Sequence, residues 1–248
     1  MNHELDIARK LKESMRTSCD DAHYFSDNEA NLVNAEYLLT VNAAKAIKEL
    51  NTYFGDPYKI RLEDSICDFV TSCTPPLARD PNSGSGFPRC VRRTNITKVQ
   101  SGRIDIGVYT DQVGFDVPVC AIEVKGFNPP QNKIVRDLER NSEYFWVKST
   151  TGSSTLPLAF FIAVHSFKGV FSDEKEIKNL RKIEKRYRGY IDGHRELSRL
   201  DHKIDPFTIR RGTVPDVDDV FVREHGLQGD EDYHFVGVVV TTKRKPQN

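Results

Sequence analysis

One segment holds residue types that could do chemistry together: GRIDIGVYTDQVGFDVPVCAIEVKG, residues 102–126. Asp105 stands near the start of one alternating run, and Glu123 and Lys125 stand near the end of the next. Side chains alternate along a strand, so Glu123 and Lys125 share a face about 6.5–7 Å apart along the backbone. Ala121 lies on that face, while Ile122 and Val124 point the other way into packing. A charged pair ending an apolar strand is costly if it is dry and unpaired. A salt bridge, solvent at the sheet edge or a metal must hold it. Two carboxylates from adjacent strands suit a hard cation such as Mg²⁺, which takes oxygen ligands and keeps several waters. A neighbouring lysine can orient or deprotonate an attacking water, or stabilise charge on a phosphate. Asp, Glu and Lys at one sheet edge would thus suit phosphodiester hydrolysis. The structural alternatives are an Asp105–Arg103 pair and a plain Glu123–Lys125 salt bridge.

The flanking sequence supplies elements to position these groups. Residues 31–50 read as a helix, with Leu32, Leu39, Ala43, Ala46 and Ile47 at steps of three, four and seven. Glu36 falls on that apolar stripe, where an unpaired carboxylate is uncommon. Glu29, one heptad earlier, is the rival candidate, and a solvated helix acid is the alternative. Gly55, Asp56 and Pro57 break the helix. Tyr58–Phe69 contains a strand candidate, with Ile60, Leu62, Ile66 and Phe69 among polar residues, and 74–93, rich in Pro, Gly and Ser, reads as a loop. Strands follow at 102–110 and 117–124, the second a nearly continuous apolar run expected of a doubly covered strand. Pro129-Pro130 opens a helix over 131–146, and 156–167 is another buried strand. Residues 173–200 read as a charged helical region broken near Gly189 and Gly193, followed by strands at 206–210 and 234–241. The order helix, three strands, helix, strand predicts an α/β fold, a central mixed β-sheet flanked by helices. Residues 1–30 read as an N-terminal extension, 31–170 as the core, and 171–248 as a C-terminal helix and strands packed on the same domain.

Asp105 followed by Glu123-Val124-Lys125 resembles the PD-(D/E)xK nuclease superfamily, and the element order resembles its restriction-endonuclease-like core over roughly residues 31–167. The resemblance implies a metal-dependent nuclease. Asp105 and Glu123 would be metal ligands, the Val124 carbonyl would add an oxygen, and Lys125 would lie near the attacking water. Glu36 would match the acid that many members carry on the first helix. Mg²⁺ is the implied cofactor, with Mn²⁺ able to substitute. Ile104, not proline, precedes Asp105, which departs from the motif.

The expected partner is nucleic acid, double-stranded DNA in an endonuclease. Arg89, Arg92, Arg93 and Lys98 cluster in and after the Gly/Ser-containing loop before Asp105 and could contact the phosphate backbone. The Lys- and Arg-rich stretch 175–188 is offset by acids and reads first as a solvated amphipathic helix. A homodimer is open, since many enzymes that cut both strands are dimers, but no interface is legible. Two rivals stand beside the nuclease: a catalytically inactive nuclease-like binding or scaffolding module, and an α/β enzyme acting on a small phosphorylated molecule.

Composition narrows the field further. The chain has 248 residues, 36 Lys plus Arg against 36 Asp plus Glu, 38% hydrophobic and 29% charged residues. Those values match a polar globule, not a histone-like coat or an acidic disordered activator. No apolar run approaches membrane-spanning length, and the N-terminus lacks a secretory pattern. Five cysteines without a CxxC argue against a zinc ribbon or disulfide scaffold and for a reducing, cytoplasmic setting. Pro215-Asp216 is followed by no acid-x-Lys on a strand. Asp216, Asp218 and Asp219 lack the spacing of a calcium loop, and there is no GxSxG, Walker A or GxGxxG. Asp116 is expected to face solvent in a turn.

Overall fold

The computed structural model describes residues 3–26, 36–55, 57–75, 101–112, 115–169, 172–213 and 232–246. Helix α1 (His3–Ser26) carries Ile7, Leu11 and Met15 at steps of four, all fully buried. Helix α2 (Glu36–Phe54) buries Leu39, Ala43, Ile47 and Leu50 by the same periodicity. Strand β1 (Lys59–Ser65) runs straight into helix α3 (Ile66–Cys73). Strands β2 (Arg103–Gln112) and β3 (Phe115–Phe127) form an antiparallel hairpin. Helix α4 (Gln131–Trp146) follows the Pro129-Pro130 pair, and the Lys133 and Ile134 N–H groups donate to the Pro130 carbonyl. A two-residue ribbon, β4 (Lys148–Ser149) with β5 (Gly152–Ser153), leads to β6 (Leu158–Lys168). Helix α5 (Asp173–Asp192) starts at Ser172, whose side chain accepts from the Lys175 N–H. Asp173, Glu174 and Glu176 suit the positive end of its dipole. Helix α6 (Arg195–Ser198), β7 (Leu200–Thr213) and β8 (Asp232–Arg244) complete the described chain.

The central sheet has six strands in the order β1-β2-β3-β6-β8-β7. Only β3 and β6 are parallel, and α4 lies in the crossover that a parallel pair requires. The protein is therefore α/β with a mixed sheet covered on both faces. On one face α1 and α2 pack against Ile106, Ile122, Val124, Phe160 and Ile162. On the other, α3 packs against Ile104, Tyr109 and Ala121, while α4, α5 and α6 pack against Phe161, Ala163, Val236 and Val238. The C-terminal strands continue the same sheet, β8 pairing along the whole of β6. Among the described residues no helix is long and apolar enough to cross a membrane.

Several sequence expectations are corrected. The strand expected within 58–69 is Lys59–Ser65, but Ile66 and Phe69 belong to a helix and not to it. Ile66, Phe69, Val70 and Cys73 repeat at helical spacing, are all buried, and follow the Ser65 cap that accepts from the Asp68 N–H. Helix α1, within the N-terminal extension, docks and supplies part of one core layer. Gly189 does not break α5. An exposed helix glycine costs about 1 kcal/mol relative to alanine, and burial of Ile183, Tyr187 and Ile191 outweighs that cost. The last two strands are longer than the apolar runs within them. The described part of α2 begins at Glu36, so Leu32 and Glu29 lie outside the described residues.

One buried group predicts how the fold responds to acid. His165 on β6 is 1% exposed, and its Nε2 lies 3.0 Å from the Tyr187 hydroxyl on α5. Burial, with Arg186 nearby, pushes its pKa down to about 4 from 6.5. His202 and His234 are shifted down by burial as well. The unfolded chain takes up the His165 proton below about pH 6.5 and the folded chain only near pH 4. Stability therefore falls as pH falls through that window, by roughly 3 kcal/mol from this residue. Melting curves between pH 7 and pH 4 should show the loss, and His165→Phe should flatten it. An unchanged slope in that variant counts against the assignment.

Candidate active site

The β2–β3 register pairs Ile106 with Ile122 and Gly107 with Ala121. Asp105 therefore comes beside the Glu123–Val124 peptide on the face away from α1 and α2. Its Oδ2 accepts a 2.7 Å hydrogen bond from the Val124 N–H. Glu123, fully buried, faces α4, where Arg140 grips both of its oxygens, with Nε at 3.0 Å from Oε1 and Nη2 on Oε2. Arg140 Nη2 also lies 3.0 Å from Asp137 Oδ1. Two residues along β3, Lys125 Nζ donates to the Val124 carbonyl at 2.8 Å and to Glu36 Oε1 at 2.9 Å. It also stands 3.1 Å from Asp137 Oδ2 and 3.9 Å from Asp105 Oδ2.

Four expected groups thus come together: Glu36, Asp105, Glu123 and Lys125, with the Val124 carbonyl among them. The base facing Asp105 is Lys125, and Arg103 is exposed. Glu36 is corrected in one respect. It is the first described residue of α2 and is half-exposed, so it does not reach the cluster from a buried stripe. Asp116 is corrected too. It sits in β3 and pairs across β2 with two residues of β1, Lys59 at 2.9 Å and Arg61. Arg89, Arg92, Arg93 and Lys98 lie outside the described residues.

Two members were not anticipated from the sequence: Asp137 and Arg140 on α4. The signal for Asp137 was present. Ile134, Asp137, Leu138, Asn141, Tyr144 and Phe145 recur at steps of three and four, and all are buried. Polar residues on a buried helical stripe need partners, and the partners are on β3 and β6. Asn141 Nδ2 donates to the Phe160 carbonyl at 2.9 Å.

The charge balance is uneven. Four carboxylates (Glu36, Asp105, Glu123, Asp137) face two cations (Lys125, Arg140). Burial pushes the Asp105 carboxyl up, against the Val124 N–H and Lys125 and with help from Glu36 and Asp137. Burial and the Asp105 charge push Glu123 well above its ordinary range, against Arg140. Burial alone would lower the Lys125 ammonium, but Asp137, Glu36 and Asp105 outweigh it and raise it above the usual lysine range. Lys125 is therefore a fixed cation at neutral pH.

The donor set suits a hard divalent cation: its donors are all oxygen, and negative charge is in surplus. Asp137 is buried, and its Oδ2 is met by the Lys125 ammonium 3.1 Å away. Among the described residues no three Asp, Glu, His or Cys side chains are grouped as a ready metal site. The Lys125 ammonium and the Arg140 guanidinium pair with these carboxylates. Glu123 stays eligible while bound to Arg140, since a carboxylate offers about four lone-pair sites. No protein-family model, no curated protein and no solved structure matches this chain.

Proposed function

We propose that this protein is a divalent-cation-dependent nuclease that hydrolyses phosphodiester bonds, an endonuclease acting on double-stranded DNA. The observation that carries this reading is the meeting of Glu36, Asp105, Glu123 and Lys125 where β2 and β3 lie side by side. It agrees with the resemblance to the PD-(D/E)xK superfamily and its restriction-endonuclease-like core. Asp105, Glu123 and the Val124 carbonyl would hold the ion, Mg²⁺ with Mn²⁺ as a substitute. A bound Mg²⁺ stabilises charge on a phosphate and makes water a better nucleophile at neutral pH. Lys125, held as an ammonium, serves as a donor to a phosphate oxygen or to the attacking water. It keeps its proton too firmly to act as the base. Val124 N–H fixes Asp105, and Arg140 fixes Glu123, so the carboxylates are set before substrate arrives.

Incubation of the purified protein with supercoiled plasmid in Mg²⁺ tests the reading directly. Nicked or linear product is expected, and EDTA should abolish it. No cleavage of double- or single-stranded DNA or of RNA, in Mg²⁺ or Mn²⁺, sinks the enzyme claim. Ion binding should also depend on pH. Asp105 and Glu123 must lose protons to ligate, and both hold them above the ordinary carboxylate range. Mn²⁺ affinity should therefore rise from mildly acid pH toward neutrality, with proton release. Calorimetric titrations in buffers of different ionisation enthalpy read the released protons, and pH-independent binding contradicts the ligand set.

One observation favours a second reading. Arg140 engages both Glu123 oxygens, and Lys125 contacts three other acids. Internal ion pairs alone could thus give each of the four carboxylates a cationic partner. That reading makes the chain a nuclease-like nucleic-acid-binding or scaffolding module without catalysis. It predicts DNA binding that persists in EDTA and no cleavage under any ion.

A further inference from the structure

Helix α5 carries its charge unevenly. Between Lys178 and Arg188 it has six basic residues and one acid, Glu184. The chain as a whole balances 36 Lys plus Arg against 36 Asp plus Glu, so the excess is local. Lys178, Arg181, Lys185 and Arg188 are exposed and, among the described residues, enter no ion pair. Acids with a partner sit at the start of the helix, where Arg211 holds Asp173 and Glu176. Steps of three and four put the four bases on one side of α5, with neighbours about 5–6 Å apart, over about 15 Å of axis.

The basic strip continues past the helix. Burial lowers the His202 pKa, and Arg188 and Lys245 push it the same way, so both cations stand near that ring. His202 Nε2 lies 2.8 Å from the Leu197 carbonyl of α6. Lys245 Nζ donates to the next carbonyl, that of Ser198, at 2.7 Å. Beside it the Arg199 guanidinium lies over the exposed Trp146 ring, 4.4 Å from its centroid, and Arg244 lies over the same ring at 6.0 Å. Glu196 neutralises Arg199 in part.

We infer that this strip, from Lys178 along α5 to Arg199 and Trp146, is the surface that holds the phosphate backbone of double-stranded DNA. The inference rests on the proposed activity on DNA and goes beyond it by naming where the duplex is held. Cations at regular intervals on a rigid helix match a regular row of phosphates. Arginine adds a planar fork that a phosphate can take bidentately. An anionic membrane is the poorer fit, because it needs an exposed apolar stripe, and that of α5 (Ile183, Tyr187, Ile191) is buried in the core. Trp146 lies six residues beyond Arg140 on α4, about 9 Å along the axis. That is less than about three base steps of one strand, so the strip and the acidic cluster can serve one duplex.

Trp146 is the one tryptophan of the chain, so its emission reports on the strip. Adding a duplex oligonucleotide to the full chain in EDTA should change that emission, and salt should reverse the change. Anisotropy of a labelled duplex in EDTA gives the affinity. Lys178→Gln/Lys185→Gln/Arg188→Gln should bind about tenfold more weakly at low salt. Its slope of log affinity against log salt should fall by about 2–3, since each lost phosphate contact removes ~0.9. Lys45→Gln/Lys48→Gln, which neutralises exposed lysines of α2 on the opposite face of the sheet, should bind like the wild type. Melting curves should place both variants within a few degrees of the wild type. An α5 variant with wild-type affinity and slope overturns the inference, and cleavage by the wild type would then leave the nuclease reading standing. Equal weakening by the α2 variant overturns it too, because any surface cation would serve. DNA held through the strip without cleavage in Mg²⁺ or Mn²⁺ supports the inference and sinks the nuclease reading. Wild-type protein that binds no duplex, or binds phosphatidylserine vesicles and not DNA, overturns the inference.

Discussion

Asp105→Asn is expected to lower DNA cleavage in Mg²⁺ by about 10³-fold, ~4 kcal/mol of transition-state stabilisation. The substitution keeps shape and removes charge. The asparagine side-chain oxygen can still accept from the Val124 N–H, so the contact that now fixes Asp105 survives. Relief of like-charge repulsion against Glu123, Glu36 and Asp137 further protects the fold. The melting temperature should stay within a few degrees of the wild type while activity disappears. Single-turnover cleavage rates, with melting curves of the same preparations, make the measurement. If wild-type protein cleaves and the variant keeps its rate, Asp105 is not part of the machinery. If the variant loses activity only because it unfolds, the melting curves reveal it.

The second large effect is on stability. Arg140→Met should destabilise the protein by ~3–5 kcal/mol at neutral pH, because it strands a fully buried carboxylate without its cation. For a chain of this size that corresponds to a fall of about 10 °C or more in melting temperature. The loss should shrink as pH falls. Glu123 already holds its proton above the ordinary range, and without Arg140 it takes one up more readily still. The variant's folded state then binds more protons than its unfolded state, so acid favours it. The double variant Glu123→Leu/Arg140→Met should recover most of the lost stability, since apolar groups of similar volume often replace a buried ion pair at little cost. It should recover no cleavage. A single variant as stable as the wild type at pH 7 would show that the pair is not dry, and the account of Glu123 would have to be abandoned. Restored cleavage in the double variant would remove Glu123 from the chemistry.

Much of the framework was legible in the sequence because its signals are local. The proline pair and the apolar stripe mark α4 as Gln131–Trp146. The unbroken apolar runs of β3 and β6 match their burial on both faces. Strand alternation alone places Glu123 and Lys125 on one side, and the pairing of neighbouring strands brings Asp105 to them. Where local signals conflict, the reading failed. Ile66 and Phe69 suit a strand until Val70 and Cys73 are weighed with the Ser65 cap, which makes the segment a helix.

What tertiary structure alone decided is which charges meet. Asp137 and Arg140 are ordinary helix residues by composition, and spacing only says that Asp137 falls on the buried side of α4. That this side rests on β3 beside Glu123 and Lys125 depends on how the crossover helix docks between β3 and β6. The same holds for Glu36, which joins the cluster because α2 starts close to Lys125. Residue type and spacing specify the strands and their chemistry. Docking of helices on a sheet is set by contacts far apart in the chain, and only those contacts bring Lys125 among Glu36, Asp105 and Asp137.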